Sequence, residues 1–593
     1  MVGDQKPTPL ALKNTSSDNL SSEVELKNAS RKKPDASIED HGQRLYIALT
    51  RDRGKYYNEL PLKKTKPIKI TEVARKAGLQ KDEIASCGDW IAKVDLDALS
   101  RLRKRADGHL VFISCMTPTR GGEGKTTNAI GLVQALGRLG KRSVLCLREP
   151  SLGPIFGRKG GATGTGLAKL LPSDAINLHF TGDGYAVSTA HNLLAAVLDN
   201  HLFRSNPFDI NPERIFLRRV VDIGDRMLRE VTLSNGPGPR RLIHQTGFDM
   251  TAASEVMAIL TLSKNWDDLK RRLDRILVAS NRKGEPIRAG SLKMGGAMSV
   301  LLRDALKPNL VQTLEGQPAF VHGGPYANVS HGSNSVMATS LALKLGEITV
   351  TEGGFGFDLG GEKFLHLICR VAGIRPSVIV LVVSAKAIEY HRGTENLAHH
   401  IASIRKFGLL PFVLINQFPK DRREALSKIQ DACQRLGVAS GISRVATEGG
   451  RGALEIARTI TNLLQKQETH FRPLYHPHDP FEVKLETVAR EVYGADGITL
   501  LDRAQRDLDQ LKAWGLDRLP IVVAKTQYSL SDDPLKRGVP KGWRLTVREI
   551  RVFGGAGYLI PITGQISLMP GLPLHPQAER IRLGKDGHIL GLD

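Results

Sequence analysis

The chain has 593 residues and carries 84 basic against 61 acidic side chains, a formal charge of +23. That length buries several cores and excludes a single small binding module. Five cysteines with no CxxC pair argue against a disulfide framework or a structural zinc. The charge points to acidic partners, whether nucleic acid, an anionic membrane surface, or phosphorylated and polycarboxylate substrates.

Residues 1–60 hold 10 basic and 9 acidic side chains, so +22 of the charge lies in 61–593. The acids make this leader unlike a mitochondrial transit peptide, and it lacks the apolar stretch of a secretory signal. Its Ser, Asn, Lys and Asp content, with few aromatics, reads as a largely disordered extension. No apolar run reaches the roughly 18 residues of a membrane-spanning helix. The cytoplasm is therefore the expected compartment, with no membrane partner.

From residue 61 the pattern is globular. A short amphipathic helix is predicted over 70–77, stopped by Gly78. Strand-like runs follow at 110–115, 143–147, 319–322, 348–351, 378–384, 411–416 and 520–524. Helical patterns fall between them at 124–139, 252–261, 333–345, 397–407 and 423–436. This alternation predicts an α/β fold of the P-loop NTPase type, a mostly parallel sheet with helices on both faces, plus smaller α/β domains. Ligands of such sheets sit at the carboxyl ends of the strands.

The strongest chemical signal is Thr117-Pro118-Thr119-Arg120-Gly121-Gly122-Glu123-Gly124-Lys125-Thr126-Thr127, between the predicted strand HLVFISC and the predicted helix NAIGLVQALGRL. Glycines turn backbone N–H groups inward around phosphate oxygens, and a helix N-terminus adds partial positive charge. Thr119 stands where the Walker pattern has its first glycine. Residues Thr119, Arg120, Gly121, Gly122, Glu123, Gly124, Lys125 and Thr126 are the expected ATP contacts. Lys125 would bridge the β- and γ-phosphates, and the Thr126 hydroxyl would bind Mg²⁺. Asn416-Gln417-Phe418-Pro419 lacks the Lys and Asp of a guanine-reading NKxD motif, so GTP is not expected.

Further segments appear in order: Arg148-Glu149-Pro150-Ser151-Leu152-Gly153-Pro154, Asn177-Leu178-His179-Phe180-Thr181-Gly182-Asp183, His322-Gly323-Gly324-Pro325-Tyr326-Ala327-Asn328, Thr351-Glu352-Gly353-Gly354-Phe355-Gly356, Ala524-Lys525-Thr526-Gln527-Tyr528-Ser529 and Met569-Pro570-Gly571-Leu572-Pro573. This series closely resembles the formate–tetrahydrofolate ligases, from about residue 61 to the end. The resemblance implies ATP-dependent ligation of formate to tetrahydrofolate through formyl phosphate. It implies Mg²⁺, a monovalent cation such as K⁺ or NH4⁺, and a homotetramer. The folate substrate often carries several glutamates.

Within that scheme Arg148 is the expected holder of formyl phosphate, because its planar fork matches phosphate and carboxylate. Asp183, following the strand-like run NLHF, suits a carboxylate on the Mg²⁺ or folate side, or a turn-forming residue. His179 reads as a core histidine. Glu352 and Phe355 are expected to face folate, or else to pack. Three parts are expected: 61–364 for nucleotide binding and catalysis, 365–480 bordering the folate cleft, and 481–593 at the C-terminus. The leader is too short for the dehydrogenase/cyclohydrolase domain of trifunctional relatives, so a monofunctional protein is expected.

The sequence departs from the family pattern in places. Thr119-Arg120-Gly121 makes the glycine loop two residues longer. Tyr390-His391-Arg392-Gly393 runs almost directly into Thr394-Glu395-Asn396, where the family has a longer stretch. Val445-Ala446-Thr447-Glu448-Gly449-Gly450-Arg451-Gly452 lacks the family's Trp. These departures keep open a nucleotide-binding relative without ligase activity, acting in regulation or interaction. Nucleic acid is not expected, since no recognised binding signature accompanies the charge.

Overall fold

Val378-Ile379-Val380-Leu381-Val382-Val383 is an unbroken apolar run, and such a run is stable as a strand only when both faces are covered. Both are. Val378, Val380 and Val382 join an apolar core with Ile130, Val133, Ile456 and Ile460. Ile379, Leu381 and Val383 point the other way, into a core with Leu397, Ile401, Ile404 and Ile429. The period-2 alternation of a strand thus divides one run between two helical layers.

The computed structural model describes residues 67–592 except 160, 238–241 and 467–468. The expected leader over 1–60 and Gly160 lie outside the described residues. The described residues belong to one unit, 57–593.

In chain order the strands of the largest sheet are β1 (Ile84–Ser86), β2 (Ala92–Val94), β3 (His109–Cys115), β4 (Ser143–Leu147), β5 (Gly164–Thr165), β6 (Ala168–Leu171), β7 (Asn309–Thr313), β8 (Pro318–Val321), β9 (Ile348–Glu352), β10 (Val378–Val383), β11 (Pro411–Asn416) and β12 (Ala439–Ser443). Their order across the sheet is β1-β2-β7-β8-β4-β9-β3-β10-β11-β12, with β6 beside β7 and β5 beside β6. Every pairing from β8 through to β12 is parallel. The far edge, β1, β2 and β7, is antiparallel. The predicted mixed α/β architecture with a mostly parallel sheet is therefore present. From β3 the chain crosses to β4 on one side, and after β9 it crosses to β10 on the other. The carboxyl ends of β3 and β9 lie where these directions diverge, the usual place for a ligand crevice.

Three local readings are corrected. The run NLHF is not a strand: Asn177 ends a short helix, and Asp183 is the first residue of a 22-residue helix capped by Gly182 at φ +86°. His179 is exposed and not a core residue. The predicted strand at 520–524 forms only two isolated bridges, Ile521 with Leu559 and Ala524 with Ile562. Its partner Tyr558–Thr563 contains Pro561, which has no N–H to return a bond to residue 522. The neighbouring rungs, Val522 N–H to Leu559 O and Ala524 N–H to Pro561 O, are intact.

The C-terminal part is fastened to the main sheet by buried polar groups. Lys525 is fully buried and donates to Asp358 at 2.7 Å and to the Ser529 carbonyl at 2.6 Å. Asn328 donates to Gln527 at 2.9 Å. Removing one partner of such a pair strands a buried charge, at about 3–5 kcal/mol. Glu255 accepts the N–H groups of Gly555 and Ala556 through one oxygen. Burial pushes its carboxyl from 4.5 up to about 8, against those bonds.

The folded protein therefore keeps a proton on Glu255 that the unfolded chain releases. Its contribution to stability should fall as pH rises from about 4.5 to about 8 and then level off. Glu255→Gln keeps the accepting oxygen without the charge. It should raise the urea midpoint at pH 8 and leave it unchanged at pH 4.5, as read by circular dichroism.

Candidate active site

Seven strands deliver their carboxyl ends to one edge, and the glycine-rich loop rises from the middle of it. β3 feeds residues 116–124, and helix α1 (Lys125–Arg138) begins directly after Gly124. Gly124 sits at φ +78°, and a Cβ there would stand 2.5 Å from the Asn416 amide nitrogen. Only glycine satisfies both demands.

A loop without a ladder must have its polar groups satisfied from outside. Glu123 is 2% exposed. One of its oxygens accepts the Thr119 N–H at 2.7 Å, and the other accepts the hydroxyl of Ser384, just past β10. Asn416, the last residue of β11, donates to the Glu123 carbonyl at 3.1 Å. At the other end of the loop, Thr117 is clamped by three side chains. Its N–H meets His400 Nε2 at 2.9 Å, its hydroxyl accepts from Asn396 at 3.0 Å, and its carbonyl lies 2.9 Å from His391 Nε2. Burial lowers the His400 pKa to about 3, so this clamp is neutral.

The charged groups face the same edge. Lys125 donates to Cys115 Sγ at 3.5 Å. Burial pushes that thiol up to about 12, so it stays neutral and leaves the ammonium charge uncompensated. The Thr126 hydroxyl donates to Glu352 at 2.9 and 3.1 Å. Glu352 is the last residue of β9, next to β3, which sets it beside the start of α1. Arg148 follows β4. It donates to the Pro325 carbonyl at 3.3 Å, while its buried Nε has no partner among the described residues. Burial lowers the Arg148 pKa and the Glu352 charge opposes the shift. Gly354 leaves room for the guanidinium, since a Cβ there would lie 3.3 Å from it and 2.3 Å from Ala327. An ammonium, a guanidinium with an open donor, and a hydroxyl–carboxylate pair thus line one crevice. Such a set suits a phosphorylated anion with a divalent cation.

A family model described as formate–tetrahydrofolate ligase matches residues 61–593. The chain belongs to the formate–tetrahydrofolate ligase family. Members are ATP-dependent ligases of one-carbon metabolism, so ATP, formate and tetrahydrofolate are the substrates the family implies.

Against that assignment the residues expected from sequence divide into groups. Lys125, Thr126, Arg148 and Glu352 come together at the carboxyl edge of β3, β4 and β9. Thr119, Gly122 and Glu123 form the turn beneath the loop's crest, with Gly122 N–H to Thr119 O at 3.0 Å, and Arg120 is exposed on the crest. Phe355 follows β9 at φ +60°, a backbone state uncommon for a bulky residue. Asp183 is only 2% exposed, and its carboxylate is held by Lys93 at 2.6 and 2.8 Å and by Asn309 at 2.8 Å. His322 lies between Ser335 at 2.6 Å and the Ala305 carbonyl at 2.7 Å, and burial lowers it to about 4.

Sequence reading missed Ser384, Asn416 and the His391–Asn396–His400 clamp. The signal available was position: Ser384 and Asn416 each end one of the two successive strand runs on the same side of the loop strand. In this ligase Glu123→Ala should release Thr119 and Ser384 together. The loss of two bonds to a charged group predicts roughly tenfold weaker ATP binding, checked by calorimetry with the magnesium nucleotide.

Proposed function

We infer that this cleft joins formate to tetrahydrofolate through formyl phosphate. A formate oxygen attacks the γ-phosphorus of ATP, the bond to the departing ADP breaks, and formyl phosphate remains. N10 of tetrahydrofolate then attacks the formyl carbon, phosphate leaves, and the N10 proton passes to solvent. Both steps shift charge among oxygens, so positioning and neutralisation carry most of the catalysis.

The observation that carries this reading is the convergence of Lys125, Arg148 and the Thr126–Glu352 pair on one edge. Lys125 reaches the ATP phosphates from a neutral thiol. Arg148 offers its open Nε and planar fork to formyl phosphate. Thr126 and Glu352 are hard oxygen donors of the kind Mg²⁺ takes, and the ion would offset charge on the phosphate oxygens. Glu352 then serves the nucleotide side and not the folate. Phe355 is assigned to the pterin ring; strained backbone at a cleft and an aromatic face support it. Asp183, saturated by Lys93 and Asn309, is assigned to positioning and not to chemistry. A monovalent cation, the homotetramer and the three-part division of 61–593 rest on the family resemblance.

Purified protein with formate, tetrahydrofolate, MgATP and potassium should yield 10-formyltetrahydrofolate. Lys125→Ala should cut turnover roughly a thousandfold or more. Arg148→Lys should lower kcat about a hundredfold while ATP affinity holds, because charge survives but the fork does not. Absence of product from protein that binds ATP would sink this reading and favour a nucleotide-binding relative without ligase activity.

A further inference from the structure

Behind Thr117 lies a groove of about 610 Å³, with His391 and Arg392 at one end. Its volume is that of a ligand site. Glu395, Ala398, His399 and Ala402 fall at i, i+3, i+4 and i+7 of helix α2 (Glu395–Lys406), so one face of that helix forms a wall. The segment 537–541 forms the other.

Its charge is one-sided. Arg392, Arg537 and Lys541 are exposed, and among the described residues none has a carboxylate partner. Glu395 is the one acidic lining residue. Burial lowers both His391 and His399 and leaves them neutral. Three cations therefore face one carboxylate. Arg537 is already oriented, its guanidinium lying 4.4 Å from the centre of the Tyr390 ring. Arg392 adopts φ +62°, a conformation that glycine fits better. An arginine kept against that preference points to a use for its side chain.

The cationic rim surrounds a short apolar stretch of Ala398, Ala402 and Val539. A chain in which carboxylates alternate with methylene groups matches both features. We propose that this groove binds such a polycarboxylate chain, and that the pendant glutamate tail of the folate substrate is its occupant. The proposal rests on the folate reading above. It adds to that reading where the far end of the substrate goes. The groove touches the glycine loop without sharing its reacting groups: His391 joins the Thr117 carbonyl at 2.9 Å on one side and the Gly538 N–H at 3.1 Å on the other. A free di- or tricarboxylate has the same chemistry, so the test separates the two sources.

The variant is Arg537→Ala with Lys541→Ala, both outside the nucleotide site. Calorimetry with free tri-γ-glutamate needs no turnover and works even if ligase activity is absent. The peptide should bind the unaltered protein with an affinity that weakens as salt is raised, and the double variant should bind it about tenfold more weakly. In steady state, KM for tri-γ-glutamyl tetrahydrofolate should rise about tenfold in the variant, with KM for the monoglutamate and kcat unchanged. Citrate binding without any tail-length effect would overturn the assignment to the folate tail. No binding of either anion, or equal tail-length preference in the variant, would overturn the groove itself. Arg392→Gly, which relieves the backbone, should weaken the peptide while raising the unfolding midpoint.

Discussion

A loop that leaves its strand cannot satisfy its polar groups in a ladder, and this constraint organises the centre of the molecule. Besides a few bonds within the loop and to backbone, residues 116–124 are held by side chains from elsewhere. Glu123 is fixed by Thr119 within the loop and Ser384 beyond it, its carbonyl by Asn416, and Thr117 by His391, Asn396 and His400. Two of these supports stand at the ends of β10 and β11, successive strands on the same side of β3. Parallel register is what brings them level with the loop. A two-residue slip would lower a supporting group by almost 7 Å, beyond hydrogen-bond reach. The observed parallel pairing of β3, β10 and β11 is therefore a condition for the geometry at the loop.

Burial also decides which groups carry charge. His322 and His400 are fully enclosed, each bonded to uncharged partners, and burial holds them neutral. Glu352 is shared between the Thr126 hydroxyl and the field of Arg148. Among the described residues Lys125 has a thiol as its hydrogen-bond partner. The positive character of the cleft thus arises from two cations left without full compensation, in a neutral setting with low dielectric. The chain's +23 is a separate matter, and +22 of it lies in residues 61–593.

Much of the fold was legible because it is local. The helix Ile70–Ala77 and the strands Ser143–Leu147 and Pro411–Asn416 follow from periodicity and punctuation over a few residues. The strand–glycine loop–helix unit was legible for the same reason. What was hidden depends on partners far along the chain. Asp183 looks available in sequence, yet Lys93 is 90 residues away and Asn309 is 126 away, and both reach its carboxylate. Glu123 and Ser384 are 261 residues apart. The segment 520–524 has strand composition, but its pairing is interrupted by the missing N–H of Pro561 on another element. No window of single-chain pattern contains these facts, since each is a property of two segments in contact.

The turn closed by Thr119 and Glu123 has a consequence for how such a loop changes over time. Everything that fixes Gly124, Lys125 and Thr126 lies at or below that closure, and Arg120 lies above it in solvent. Residues added to the crest do not alter the path between the closure and α1. Natural variation can therefore lengthen, shorten or recharge the crest while the anchored groups beneath stay in register. Arg120 stands in that permissive segment, which makes it a site where a lineage can explore new surface contacts without disturbing the anchored groups beneath.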